Sequence, residues 1–275
     1  YAYFFETKKR IQKLFIQSNN PLKLFKSHTT QGMVSIKEDT NSIYKISISD
    51  YKGNQSDLST PINGLKKELP VAKPLPLNLH QIIAKEETIL EKDHVKVQIY
   101  RDSFYEDIAI NFEVTNDTLK LHKPIIPLQK SININFDISQ YKGTDKNKLY
   151  IASVSRYGNK LYYTPTKKRE NTLTARTKYL GNYTLGVDDE KPKIKTINFK
   201  NGSWISNYRY LKIKISDQIS GIKNYRATIN NQWILMEYDT KTQTLIHDFN
   251  DEIIQDTKNN LKIIVTDNVG NSSTF

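Results

Sequence analysis

Cysteine is absent from this 275-residue sequence, and glycine and proline are scarce, with 10 and 9 residues. Without cysteine, the chain has no disulfide bonds and no thiolate zinc sites. So few glycines also disfavour a phosphate-cradling loop, and no such motif is present. No apolar run approaches the roughly 20 residues of a membrane-spanning helix, and the first ten residues, YAYFFETKKR, lack the features of a signal peptide. We therefore expect no transmembrane segment in these residues.

Acidic residues are in the minority, with 29 Asp and Glu against 41 Lys and Arg and a formal net charge of +12. The lysines are spread along the whole chain, and no helix-turn-helix, RNP or zinc-finger pattern accompanies them. We therefore expect solvated strand faces and no nucleic-acid partner. A basic surface would still favour anionic surroundings, such as cell-wall polymers or lipid headgroups.

One phrase occurs twice, as YKISISDYKGNQSDL at 44–58 and as LKIIVTDNVGNSSTF at 261–275. Each copy begins with apolar residues at every second position, which is typical of a half-buried strand. An aspartate follows, whose carboxylate can accept hydrogen bonds from nearby amides. A Gly-Asn pair then provides the positive φ that a tight reversal requires. The phrase predicts a hairpin in each copy, with six structural turn residues: Asp50, Gly53, Asn54, Asp267, Gly270 and Asn271.

The same aspartates allow a second interpretation. Carboxylates on adjacent loops can hold calcium, so Asp50 and Asp267 are also candidate cation ligands. Neither phrase has the ligand count of an EF-hand loop, which favours the hairpin interpretation.

Proline and alternating apolar residues divide the chain into domains. Four of the nine prolines lie in 61–79, and this stretch is predicted to be a linker because proline disfavours a central strand. A middle β-sandwich is predicted at 80–187, where short alternating segments are separated by turn formers. These segments are 94–100, 108–114, 131–138, 148–155, 160–165 and 180–187.

A C-terminal sandwich is predicted at 188–275, a little smaller than the roughly 100 residues of an immunoglobulin-like domain. Its predicted strands are 193–199, 210–217, 222–230, 232–239, 244–249 and 261–267. The repeated phrase closes this domain, but its first copy begins at residue 44. Residues 1–60 are therefore interpreted as the C-terminal part of a related sandwich that begins before Tyr1. The predicted fold class is all-β, with tandem antiparallel, immunoglobulin-like β-sandwiches, the first of them incomplete.

Trp204 and Trp233 are interpreted as core or core-edge anchors of the C-terminal sandwich. The alternative is an exposed tryptophan that stacks on a sugar ring, since aromatic faces serve both purposes. For that alternative, Trp204 and Tyr208 are the candidate binding aromatics.

The motifs of common catalytic sites are missing from the sequence. The five histidines are isolated, without H-x-H or H-E-x-x-H, and there is no G-x-S-x-G elbow. His247 and Asp251 are four positions apart, but a zinc site needs at least a third protein ligand. The adjacent carboxylates Asp188 and Asp189 lie in a turn context, which capping and solvation explain better than acid–base catalysis. We expect no catalytic residue, metal ligand or cofactor in this chain.

Seven phrases follow one another along nearly the whole chain. They are RIQKLFIQSNNPLKLF (10–25), YKISISDYKGNQSDL (44–58), FYEDIAINFEV (104–114), KLYIASVSRYGNKLYY (148–163), YLGNYTLGVDDEKPKI (179–194), ISDQISGI (215–222) and IIVTDNVGNSS (263–273). This ordered series resembles the C-terminal region of envelope-associated, lysostaphin-type zinc metallopeptidases. In that family an N-terminal peptidase domain is followed by β-sandwich modules.

The resemblance implies a parent enzyme that cuts peptide cross-bridges in peptidoglycan, with zinc held by H-x-x-x-D and a histidine of H-x-H. His247 and Asp251 match only the first of these spacings, so no catalytic or metal-binding position is carried over. The implied role of this chain is an accessory region that positions an upstream peptidase domain or contacts peptidoglycan or envelope proteins. The implied location is the periplasm, the cell envelope or the cell surface.

Two other functions stay open at this point. One is a stand-alone adhesion or scaffold protein of immunoglobulin-like modules, and the other is a carbohydrate-binding module. Because linkers and domain faces are the usual places for contacts, we expect partner contacts first at 61–79 and 186–192.

Overall fold

The computed structural model describes residues 8–9, 16, 34–66, 79–143, 145–155, 160–251 and 257–275. The chain divides into two compact units, Tyr1–Leu79 and His80–Phe275. The predicted all-β class is confirmed, because the described residues form 22 strands and only two short 3-10 helices. No helix in this part of the chain is long and apolar enough to cross a bilayer.

In the first unit, β1 (Asn41–Ser49) and β2 (Gln55–Asn63) form an antiparallel hairpin. The pairing is regular from Asn41 opposite Asn63 to Ser49 opposite Gln55. β2 therefore reaches three residues into the predicted linker 61–79. Residues 67–78 of that linker lie outside the described residues.

The middle part of the second unit is a sandwich of short strands. Its strands are β3 (Leu79–Ile82), β4 (Thr88–Lys92), β5 (Val95–Ile99), β6 (Ile108–Asn111), β7 (Glu113–Thr115), β8 (Thr118–Leu121), β9 (Ile132–Asp137), β10 (Leu149–Val154), β11 (Leu161–Tyr163), β12 (Thr166–Arg169), β13 (Thr172–Thr177) and β14 (Gly181–Val187). A 3-10 helix at Lys146–Lys148 precedes β10. One sheet has the order β11-β10-β14-β8-β7, the other has the order β12-β13-β9-β5-β4, and β3 pairs with β6.

Alternation along the strands creates the core of this sandwich. In β9, Ile132, Ile134 and Phe136 are fully buried, whereas Asn133 and Asn135 face outward. Burying each such apolar side chain stabilises the fold by about 1.5–3 kcal/mol relative to exposure. The outer face of the β12–β13–β9 sheet is consequently polar.

The C-terminal part of the second unit is a smaller sandwich. Its strands are β15 (Lys193–Thr196), β16 (Tyr210–Ser216), β17 (Ile222–Ile229), β18 (Gln232–Ile234), β19 (Glu237–Asp239), β20 (Thr244–Asp248), β21 (Leu261–Asp267) and β22 (Ser272–Thr274). The second 3-10 helix, Phe249–Asp251, follows β20. The sheets have the orders β15-β16-β20-β19 and β18-β17-β21-β22.

This strand order is that of an immunoglobulin-like domain. With β15 to β22 taken as strands A, B, C, C′, D, E, F and G, the sheets read ABED and C′CFG. The predicted single strand at 232–239 is instead two strands, because the chain crosses from one sheet to the other between Ile234 and Glu237.

The same topology brings three chain segments to one end of the C-terminal sandwich. β15 starts where β16 ends, because the two are antiparallel neighbours with Lys193 opposite Ser216. β17 begins at this end directly after β16, and its antiparallel partner β21 ends there, with Ile222 opposite Asp267. The segment before β15 and the loops after β16 and β21 therefore meet next to the middle sandwich.

Candidate functional site at the junction of two sandwiches

The turn between β21 and β22 is built around Asp267. Its Oδ1 accepts hydrogen bonds from the amides of Val269 and Asn271 at 3.0 and 2.8 Å, and its Oδ2 accepts one from Asn271 Nδ2 at 2.7 Å. Gly270 has a φ of +90°, which residues with a side chain rarely adopt. All three predicted turn residues of the second phrase thus lie in one tight reversal.

The first copy of the phrase forms the same turn between β1 and β2. Asp50 Oδ1 accepts hydrogen bonds from the amides of Lys52 and Asn54, both at 2.9 Å, and Oδ2 accepts one from Asn54 Nδ2 at 2.7 Å. Gly53 has a φ of +88°. Hydrogen bonds from Asn54 lower the pKa of Asp50. The environments differ, because Asp50 is exposed whereas Asp267 is fully buried.

Asp188 connects this turn to the middle sandwich. It directly follows β14, its amide donates to the backbone oxygen of Lys148 at 3.0 Å, and its own backbone oxygen accepts from Asn271 Nδ2 at 2.9 Å. Its Oδ1 accepts from the amide of Glu190 at 3.1 Å, and its Oδ2 accepts from the amide of Ser220 at 3.0 Å. Asp188 is therefore bonded to both sandwiches.

Asp217 completes a cluster of three carboxylates. One carboxylate oxygen each from Asp188, Asp217 and Asp267 lies within 4.8 Å of the other two. Asp217 is half-buried, and its Oδ1 accepts from the amides of Ile219 and Gly221 at 3.1 and 2.7 Å. We call these three aspartates the junction cluster.

The junction cluster has an unfavourable electrostatic environment for three negative charges. Asp188 and Asp267 are both 0% exposed. Burial raises the pKa of Asp188, and the charges of Asp217 and Asp267 raise it further, whereas the Ser220 side chain lowers it. Tyr150 is affected as well, since burial and then the charges of Asp188 and Asp217 raise its pKa.

Sequence reasoning found Asp267 but missed Asp217 and Ser220, and it assigned Asp188 only to a turn. A usable signal is the phrase S/T-D that ends both β16 and β21, in ISD and VTD. It becomes informative only once the immunoglobulin-like order brings the ends of these two strands together. Asp50, the other candidate cation ligand, is not part of the junction cluster.

A basic cleft of about 870 Å³ lies between the polar outer face of the middle sandwich and the C-terminal sandwich. No acidic residue is among its described lining residues. Its basic residues are Lys167, Arg169, Arg176 and Lys223. Neutral hydrogen bonds order its polar floor, from Asn133 Nδ2 to Tyr100 Oη at 2.6 Å and from Thr174 Oγ1 to Asn135 Oδ1 at 2.7 Å. Two lysines and two arginines of a chain whose basic residues looked diffuse therefore share one concave surface.

The two candidate binding aromatics lie in a second cleft, of about 510 Å³, in the C-terminal sandwich. Trp204 is 76% exposed and Tyr208 is 50% exposed, and both line this cleft together with Phe199 and Phe275. Trp233 is 55% exposed on the edge strand β18. Neither tryptophan is buried in the core, so the core part of the core or core-edge interpretation is wrong. Trp204 lies in a loop, and Trp233 occupies an outward position of the edge strand β18.

His247 is packed in the interior of the C-terminal sandwich. Its ring is buried, its Nδ1 lies 2.9 Å from the backbone oxygen of Leu235, and it packs edge-on against Phe249 with ring centroids 5.2 Å apart. Asp251 is the last residue of the second 3-10 helix, and its side chain lies outside the described residues.

A search of curated proteins found no similar sequence. Residues 80–188 match the family model of the Zu5-like domain. This segment spans the middle sandwich, ends at Asp188 of the junction cluster, and covers less than half of the chain. The middle sandwich is therefore similar to a Zu5-like domain.

Proposed function

We propose that this chain is a non-catalytic accessory region of a cell-envelope peptidase, and that its two coupled sandwiches hold the enzyme on an anionic polymer of the cell wall. The observation that carries the proposal is the basic cleft between the sandwiches. The coupling of the sandwiches and the resemblance to lysostaphin-type metallopeptidases support it.

The chemistry of the cleft suits a chain of phosphate groups. Its four basic side chains line one concave surface whose described lining includes no acidic residue, and a cleft lined by one sign of charge concentrates the field. Arginine binds phosphate through two parallel hydrogen bonds, and lysine adds a point charge. The amides and hydroxyls of the floor provide neutral donors beside the charges.

The junction supports a positioning role. Asp188 is hydrogen-bonded to Lys148 on one side and to Ser220 and Asn271 on the other. These bonds are buried, so water competes for them weakly, and the two walls of the cleft are held together. A ligand in the cleft would contact both sandwiches at once.

Co-sedimentation of the 275-residue chain with purified cell walls tests the binding surface. The test variant is K167Q/R176Q, which removes two charges from the cleft. The matched control is K195Q/K241Q, which removes two exposed charges elsewhere in the C-terminal sandwich. Walls stripped of their phosphate polymer form the third arm.

We expect K167Q/R176Q to lose at least half of the bound fraction, whereas K195Q/K241Q binds like the wild type. Stripping the polymer should have the same effect as the cleft substitutions. Equal losses in both variants would point to diffuse charge and overturn the proposal. The salt dependence should also be shallower for the cleft variant, because fewer counterions are exchanged.

The enzymatic part of the proposal has its own test. If the parent is a lysostaphin-type peptidase, the coding sequence upstream of Tyr1 encodes H-x-x-x-D and H-x-H after a signal peptide. An upstream reading frame without these motifs would end the peptidase assignment. A regular series of further D-x-x-G-N phrases there would favour an adhesion or scaffold protein instead.

A second candidate function is carbohydrate binding, and the aromatic cleft favours it. Trp204 and Tyr208 are both exposed in one cleft, as a sugar-stacking surface requires. Titration of soluble peptidoglycan glycan fragments, followed by tryptophan fluorescence, tests this function. W204A should abolish binding and W233A, which changes a similarly exposed tryptophan outside the cleft, should not; equal behaviour of the two variants would reject it.

A further inference from the structure

We infer that the junction cluster is a Ca²⁺ site, in which Asp188, Asp217, Asp267 and the hydroxyl of Ser220 hold one ion between the two sandwiches. This inference goes beyond the proposed function and does not depend on a peptidase parent or on the basic cleft.

The first argument is the uncompensated negative charge. Three carboxylates lie within 4.8 Å of one another, two of them fully buried. Their protein partners are neutral donors, namely backbone amides and the Asn271 side chain. No ion pair in the described part of the chain joins any of the three to lysine or arginine. Buried charges in proteins are normally paired or coordinate a metal.

The second argument is the hydroxyl of Ser220, which lies beside the Asp188 carboxyl. Ser220 is 2% exposed, and its Oγ has no hydrogen-bond partner of normal geometry among the described residues. The amide of Ser220 donates to Asp188 Oδ2, and its side chain is close enough to lower the pKa of that carboxyl. A buried hydroxyl that lacks a well-formed hydrogen bond is costly, and a cation at this position would interact with the Oγ lone pairs.

The ligand chemistry indicates calcium. All four candidate ligand atoms are oxygens, and the cluster contains neither histidine nor cysteine. An ion with bonds of about 2.3–2.6 Å spans up to roughly twice that distance between opposite ligands, which accommodates the 4.8 Å limit of the cluster. Magnesium demands near-ideal octahedral geometry and usually keeps several of its own waters, so it is less suited than calcium to a site built from several protein oxygens. Water would complete the six to eight ligands.

The location of the site gives the ion a structural effect. Asp188 belongs to the segment that leaves the middle sandwich. In the C-terminal sandwich, Asp217 directly follows β16 and Asp267 is the last residue of β21. One ion bound to all three would join the two sandwiches and remove the mutual repulsion of the carboxylates. Calcium should therefore stabilise the junction more than either sandwich core.

Isothermal titration of the metal-free 275-residue chain with CaCl₂, and separately with MgCl₂, tests the inference. We expect saturable binding of one Ca²⁺ with a Kd on the order of 10⁻⁴ to 10⁻³ M, the range of extracellular calcium modules. The test variants are D217N and S220A. Asparagine retains the oxygen that accepts the turn hydrogen bonds of Asp217, so D217N removes the charge and leaves the turn acceptor in place.

D217N should weaken Ca²⁺ binding by at least about tenfold, as for other residues that support a metal site, and S220A should weaken it by less. D50N is the matched control, because Asp50 forms the same turn in an exposed position, and its Kd should equal that of the wild type. In chelator, D217N should melt at or above the wild-type temperature, because one repulsive charge is gone; this result also shows that the variant is folded.

Three results would overturn the inference: no saturable Ca²⁺ binding by the wild type, an unchanged Kd in both D217N and S220A, or tighter binding of Mg²⁺ than of Ca²⁺. Terbium luminescence excited through tyrosine provides a second measurement, since the charges of Asp188 and Asp217 reach Tyr150. In the wild type, added Ca²⁺ should displace the bound terbium and reduce this emission. In D217N the emission should be absent.

Discussion

The side-chain amide of Asn271 donates a hydrogen bond of 2.9 Å to the backbone oxygen of Asp188, 83 residues earlier in the chain. The same amide donates to Asp267 Oδ2 at 2.7 Å. One buried side chain therefore closes the last hairpin and attaches it to the segment that leaves the middle sandwich. The second copy of the phrase therefore joins two sandwiches, whereas the described hydrogen bonds of Asn54 in the first copy stay within its own turn.

We predict that N271A destabilises the second unit. The substitution leaves a buried backbone oxygen of Asp188 and a buried carboxylate oxygen of Asp267 without their donor, and each unsatisfied group costs about 1–3 kcal/mol. Thermal unfolding should show a lower midpoint for the transition of residues 80–275. N54A removes the corresponding amide of the exposed first turn, where water replaces it, and should change stability by less. A larger loss in N54A than in N271A would contradict this account of the junction.

Much of the fold follows from local patterns in the sequence. Alternating residues such as Ile132, Ile134 and Phe136 identify a half-buried strand without knowledge of its neighbours. Asp50 and Asp267 mark turns because short carboxylates bind their own following amides, which is again a local property. Short strands such as β12 and β18 escaped this reasoning or were merged with others, because three or four residues carry too little periodicity.

The junction could not be predicted in the same way. Ser220 and Asp188 are 32 residues apart in sequence, and their contact depends on the order of strands in two sheets. For Trp204 and Trp233, burial is predicted from the residue type alone, and both side chains are exposed. An apolar side chain predicts burial only where a strand or helix directs it inward. Asp50 and Asp267 are both candidate cation ligands because the sequence around each predicts the same turn. The structure separates them, because only Asp267 is buried beside other carboxylates.

We predict that G186A is destabilising because of Tyr150. The two residues lie opposite each other on β14 and β10, and a Cβ at position 186 would come within 2.5 Å of the Tyr150 ring. Overpacking of this kind costs about 1–3 kcal/mol. Y150L removes the distal part of the ring, so the double variant Y150L/G186A should lose less stability in urea than the sum of the single variants. Simple additivity of the two effects would show that the ring and the glycine are not coupled.

We predict that stability in the absence of metal falls as pH rises through the folded-state pKa of Asp188. That pKa lies above the unfolded value of 3.8, chiefly because of burial, so the folded state binds the proton more tightly. The stabilisation from the protonated form is complete below the unfolded pKa and is lost above the folded one. The groups that face Asp188 here are Asp217, Asp267, Tyr150 and Ser220.

The measurement is the melting temperature in chelator from about pH 4 to pH 7, compared between the wild type and D188N. The wild type should lose stability relative to D188N as pH increases, and Ca²⁺ should reverse the loss. D248N is a control of opposite sign. Hydrogen bonding to Arg209 lowers the pKa of Asp248, so the stabilisation that ionised Asp248 gives the folded state is lost as pH falls. Parallel curves for the wild type and D188N would show that Asp188 does not titrate differently in the two states.

We predict that Y183F destabilises the middle sandwich. Tyr183 Oη is buried, donates to the backbone oxygen of Tyr179 at 2.7 Å and lies 3.1 Å from Thr177 Oγ1. Phenylalanine would leave the oxygen of Tyr179 without this donor, at a cost of about 1–3 kcal/mol in the free energy of unfolding. Y162F removes a hydroxyl from an exposed tyrosine and should be neutral in the same urea titration. Equal stability of the two variants would mean that water reaches the Tyr179 oxygen and replaces the lost bond.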